Sequence, residues 1–192
     1  MAAVGVFAKK SYEGASLADL TAAMGINRFS MYATFGNKEA LYVKAMEAYN
    51  EVRRRRIVEL LTGESAREAI DHMLRDIVTR FTESAHGVCF VTQGPLSPEE
   101  ASEETRQLMA RRRSEVEEAI RKRLESAIEQ GEIPSDISAA DHARYFAVII
   151  QGIALQAQHG GTCEELMRAV DVVMSSWPPR PERDRAAKSS SS

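Results

Sequence analysis

An all-α fold of about nine helices is what this chain predicts, on three observations. Val, Ile and Thr nowhere alternate with polar residues for long enough to make a strand. Apolar residues instead recur at the spacing of one helix face. The segments between them carry Ser, Thr or Asn where a helix needs an N-cap, and Gly or Pro where it needs a stop.

Residues 1–10 form an amphipathic fragment with Val4, Phe7 and Ala8 on one side, and Gly14 marks a turn. Ser16 and Asp19 make a capping box, in which hydroxyl and carboxylate each serve the other's backbone N–H. The helix they open runs through Met24. Gly25 stands at its C-cap with Ile26 as the apolar partner, and Asn27 caps a short second helix ending at Phe35-Gly36. Asn37 caps a longer helix from Lys38 to Thr62-Gly63, and Ser65 with Glu68 opens the next, to about Ser84. Residues 85–96 are less regular, with a short apolar run Val88-Cys89-Phe90-Val91. Ser97-Pro98 starts a long helix that Gly131 and Pro134 stop. Ser138 with Asp141, and Thr162 with Glu165, cap the last two, 139–159 and 163–177. From Pro178 the chain has few apolar residues and ends in four serines, so disorder is expected there.

The 192 residues, 44% apolar and 28% charged, suit a soluble globular protein of one large domain, or of a small and a medium one. No apolar window is long enough for a membrane span, and the N-terminus turns polar too soon for a signal peptide. Cys89 and Cys163 have no metal-site spacing and read as free thiols of a cytoplasmic protein. Net charge is -3, but it is unevenly spread. Residues 1–60 hold nine Lys/Arg against six Asp/Glu, and 61–192 hold sixteen against twenty-two. A basic head on an acidic body suits a protein that touches phosphates with its head only.

Residues 16–41 carry the chemistry. Two short helices separated by Gly25-Ile26-Asn27 must cross steeply, as in a helix-turn-helix. Leu17, Leu20, Ala23 and Met24 give the first an inner face, and Met31 with Phe35 does so for the second. The second helix then projects its N-terminal end, Asn27, Arg28, Phe29 and Ser30, where backbone N–H groups and a cation meet. In a major groove that end brings Arg28 toward guanine acceptors or phosphates. A plain structural hairpin is the rival reading. The run Arg53-Arg54-Arg55-Arg56 reads as a solvated stripe, with contact to phosphates as the alternative.

Residues 2–48 resemble the DNA-binding domain of the TetR family of repressors, through Phe7, the SYEGASLADL segment, the AAMGI turn and NRFSMYATFGNKEAL. The wording GINRFSMYATFGNKEAL is most similar to the branch containing the copper-responsive outer-membrane regulator of enteric bacteria. The C-terminal half shares that branch's GVCFV segment and QGIALQAQHGGTCEELMRAVDVVMSSWP. The resemblance implies a DNA-binding domain over 1–48, a ligand-binding and dimerisation domain over 49–177 and a tail over 178–192. It implies that Ser16 and Lys38 meet phosphates, that Tyr32 reaches the DNA backbone, and that Arg28, Phe29 and Ser30 face base edges or thymine methyls. For Phe29, packing against the first helix is the alternative. The family's first helix is longer and preceded by a basic arm, so this chain is expected to start inside it, with weakened affinity for DNA.

In the sensor half, His72, Met73, Phe81, His86, Cys89, Phe90, Gln93, Tyr145 and Gln151 are the candidate pocket residues. Their mix suits a small hydrophobic or aromatic effector of unknown identity. Cu(I) needs a tight cluster of soft ligands, and the chain has no CxxC or His/Cys cluster, so neither metal nor other cofactor is expected. Ala143, Ala147, Ile150 and Ala154 form one small apolar face, and Leu166, Val170, Val173 and Trp177 another. By the resemblance they are the homodimer interface, a four-helix arrangement about a two-fold axis. Asp71-His72 and Asp141-His142 are adjacent on helices and point apart, so neither is a catalytic relay. The expected function is a ligand-relieved repressor binding palindromic double-stranded DNA as a homodimer. The alternative is a ligand-binding or interaction protein whose shortened head binds DNA weakly.

Overall fold

A computed structural model describes residues 2–63, 65–83 and 103–178, with the side chains of 104–106 and 108–114 outside that set. The described residues form eight helices and no strand. They are α1 (Ala2–Gly14), α2 (Leu17–Met24), α3 (Arg28–Phe35), α4 (Lys38–Leu60), α5 (Ala66–Glu83), α6 (Glu103–Glu129), α7 (Ala139–Gln158) and α8 (Cys163–Ser175). The irregular stretch 85–96, the start of the long helix and the tail beyond Pro178 lie outside the described residues.

The capping signals do what their chemistry requires. Ser16 and Thr162 form capping boxes with Asp19 and Glu165. Asn27, Asn37 and Ser138 each accept a backbone N–H of the first turn. The free N–H of Ala66, at the start of α5, is taken instead by Glu132 Oε2 at 2.6 Å, a partner 66 residues away. One local expectation fails: α1 runs on to Gly14 but breaks at Ser11, whose φ of 59° and ψ of 179° belong to a region that suits glycine.

Two apolar cores share one helix. The head core packs Phe7, Ala8, Leu20 and Met31 against Leu41, Tyr42, Ala45 and Met46 of α4. The body core packs α5, α6, α7 and α8 around Met73, Leu74, Ile120, Leu124 and Ile150, and takes in Ile57 and Leu61 from the far end of α4. Between the two sets lies Asn50, buried, with no hydrogen-bond partner for its Nδ2. Arg56 of α4 pairs with Asp76 of α5 at 2.8 Å, and Arg75 of α5 reaches Asp171 of α8 at 2.6 Å.

Candidate nucleic-acid interface

The α2–α3 turn sets the reading end. Gly25 adopts left-handed φ 65° and ψ 29°, which a side chain disfavours, and its N–H and that of Ile26 close α2 on Ala22 and Thr21 carbonyls. Asn27 then accepts the Ser30 N–H at 2.8 Å, which fixes where α3 begins. Leu20 and Met31 are fully buried between the two helices, with Leu17, Met24 and Phe35 packed at their edge. Ala23 is exposed, contrary to the face assigned from the sequence. Thr21 is buried in its stead, because its hydroxyl satisfies itself on the Leu17 carbonyl at 2.8 Å.

Of the residues singled out for DNA, Ser16, Asn27, Arg28, Phe29 and Tyr32 are exposed, and Ser30 and Lys38 are partly so. Phe29 is 81% exposed and therefore does not pack on α1. Arg28 has no carboxylate partner among the described residues. Ser16 is more committed: its hydroxyl donates to Asp19 Oδ2 at 2.7 Å while accepting the Asp19 N–H. Asp19 also holds Lys10 at 2.7 Å, and that contact with the Ser16 bonds lowers its pKa to about 2. Donation from Ser16 to a phosphate would require release of this carboxylate.

Lys38, at the first turn of α4, stands over the Tyr12 ring with Nζ 4.5 Å from its centre. Tyr12 meets Tyr42 edge-on at 5.3 Å, and Tyr42 meets Phe7 edge-on at 4.9 Å. Burial pushes the Tyr42 hydroxyl well above its ordinary range. Sequence reading missed this aromatic platform, since nothing local links Tyr12 to a ring thirty positions on. The arginine run is occupied elsewhere: Arg54 and Arg55 hold Glu51, and Arg56 holds Asp76. Three of its four cations are thus paired within the protein.

The sensor-half candidates divide between core and surface. Met73 and Phe81 are buried in the body core. His72, Tyr145 and Gln151 are exposed, while His86, Cys89, Phe90 and Gln93 lie outside the described residues. The assigned dimer faces are inner faces. Ala143, Ile150, Ala154, Leu166 and Val170 are buried in the protomer's own core, with Val173 and Trp177 packed against it and Ala147 half-buried beside them. The physical reason is that α5 and α6 already cover the inner face of α7, and α5 that of α8. The outer face carries Tyr145, Val148 and Leu155 on α7 and Val172 on α8. With Gly152, the three α7 positions fall on one helical stripe.

Among the described residues no helix is long and apolar enough to cross a membrane, and no group of three His, Cys, Asp or Glu converges.

Residues 1–45 match the family described as bacterial regulatory proteins, tetR family. The chain is 35% identical to a cysteine mutant of the TetR family transcriptional regulator CifR, solved in complex with 26 bp double-strand operator DNA. That match has a TM-score of 0.84 and covers 92% of this chain and 94% of that one. The HTH-type transcriptional regulator YezE of Bacillus subtilis is 29% identical, over 90% of this chain and 91% of the relative. The HTH-type transcriptional repressor ComR of Escherichia coli is 28% identical, over 92% of this chain and 85% of the relative.

Proposed function

The chain belongs to the TetR family of bacterial transcriptional regulators, DNA-binding proteins rather than enzymes, and from that premise we propose that it is a ligand-relieved repressor acting as a homodimer on a palindromic operator. One observation carries the reading. The N-terminal end of α3, with Arg28, Phe29 and Tyr32, stands free of the head core on a turn fixed by Gly25 and Asn27. Helix α3 lies in the major groove and Lys38 pairs with a phosphate. CifR, similar over nearly the whole chain and solved bound to operator DNA, supports this use of the head.

The functional units are 1–48 for DNA and 49–177 for effector and partner, and the protein works in the cytoplasm. Two copies join through the outer stripe of α7 and Val172 of α8, the exposed large apolar groups of those two helices. The effector is a small hydrophobic or aromatic molecule held beside Met73 and Phe81. Because α4 belongs to both cores, a shift of the body against α4 reaches Lys38 and α3. The similarity to the copper-responsive branch is one of wording in GINRFSMYATFGNKEAL, and copper is not proposed as the effector.

Selection of bound duplexes from a random DNA pool, with the purified chain near physiological salt, tests the reading. An enriched palindrome is the expected result. A folded dimer that enriches nothing would overturn it.

A further inference from the structure

Among the described residues Phe29 is the most exposed large apolar side chain, and it stands where the protein has least reason to show one. The start of α3 is fixed by the Asn27 cap on Ser30, so residue 29 cannot fold back onto the head. Met31 is fully buried, and a residue two positions earlier lies roughly 200° around the helix, on the far side from the core. Phe29 is thus held in water by the same geometry that buries Met31. Its neighbour Arg28 is an exposed cation with no carboxylate partner among the described residues, and Lys38 lies at the start of the next helix. An exposed apolar ring next in sequence to an exposed cation fits a polyanionic surface that offers one apolar group. Duplex DNA is such a surface: in the major groove that group is the thymine C5-methyl, while guanine and phosphate oxygens suit Arg28. An apolar protein surface would leave Arg28 without a counter-charge, and the oligomeric size of Phe29→Ala decides against a second copy.

We propose that Phe29 is a specificity-determining residue that reads a thymine C5-methyl in each operator half-site. The proposal rests on the reading of α3 as the DNA-contacting helix. It predicts an A·T pair at a fixed place in each half of the palindrome, with its thymine methyl facing the second residue of α3.

The test uses the full chain and the duplex obtained by selection. Each symmetric pair of dT is replaced by dU, which removes the methyl and nothing else. Binding is compared for the parent and Phe29→Ala. At one pair, dU should weaken the parent roughly fourfold per half-site, as expected for one buried methyl. Phe29→Ala should bind the dT duplex as weakly as the parent binds dU, and be indifferent to the exchange. Its melting temperature should not move, since Phe29 supports no core, and a repeated selection with it should lose the preference at that pair. The proposal is overturned if no dU pair couples to residue 29. It is also overturned if Phe29→Ala weakens all duplexes alike, or if it changes the oligomeric size, which would assign Phe29 to another copy. If no duplex is enriched by the parent at all, the reading of α3 falls together with it, a failure distinct from enrichment without methyl dependence.

Discussion

The head and the body bury apolar surface in different ways. In the head, short helices are closed at nearly every end by a neighbour in sequence: Ser16 with Asp19, Gly25 with Ala22, Asn27 with Ser30, Asn37 with Ala40. Its core is small and leans on a few large groups, Phe7, Leu20, Met31, Tyr42 and Met46. In the body, long helices are joined across the chain, Ala66 to Glu132 and Arg75 to Asp171, and the core spreads over many aliphatic residues. A head built from local signals holds its reading helix accurately but has little packing to spare. The body adds distant contacts to local caps at Ser138 and Thr162, and its core is larger. Helix α4 joins the two, with Asn50 at the seam.

The largest way to break this comparison is a cavity. Met31→Ala should destabilise the head by about 2–5 kcal/mol, the usual range for emptying a fully buried long side chain. The same change at Met73, also fully buried, removes similar contacts from a much larger core. Operator binding should vanish for Met31→Ala while dimer size by gel filtration is unchanged. Equal loss of the body's helical signal on melting would show one cooperative unit and end the contrast.

The outer face of α7 comes next. Val148→Glu with Leu155→Glu places charges on two exposed positions, so the protomer should fold normally. If that stripe joins two copies, light scattering should report a monomer. Affinity for a palindrome should then drop about a hundredfold, since the second half-site is no longer held nearby. A dimer with unaltered affinity would place the interface elsewhere.

This contrast also explains what was legible beforehand. The caps at Ser16, Asn27, Asn37, Ser138 and Thr162 could be read because donor and acceptor are three residues apart. The exposed end of α3 followed from them. The faces of α7 and α8 could not be read in that way. Both sides of α7 are apolar enough, Ala143 and Ile150 on one and Val148 and Leu155 on the other. Only the positions of α5 and α6 decide which is inside. The Lys38–Tyr12–Tyr42 stack and the Ser11 break were hidden for the same reason, since each depends on how α1 meets α4.

Asn50 offers a smaller test, at the seam itself. A buried amide donor without an acceptor costs about 1–3 kcal/mol. Asn50→Leu, close in volume, should raise stability by about 1 kcal/mol, seen as a higher urea midpoint at unchanged slope. Destabilisation would mean that the amide is used in the folded state. Ser11→Gly should stabilise the head by a similar amount, about 1 kcal/mol, because the backbone there sits where glycine is unstrained.

The smallest effect concerns charge at the surface of the head. The Asp19 carboxyl is held at about 2 against an ordinary 3.8, first by Lys10 and then by the Ser16 hydrogen bonds. A depressed folded-state pKa means the unfolded chain binds the proton more readily. The contribution is therefore complete above 3.8 and is lost as pH falls from there to about 2. Melting of the head between pH 5 and pH 2 should show this loss, and Asp19→Asn should lack it while starting from a lower value. Because Lys10 and Asp19 are both at the surface, about 1 M salt should shrink the Lys10 share and leave the capping share in place. No such component in the titration would mean that the local caps contribute less to the head than its five large core side chains.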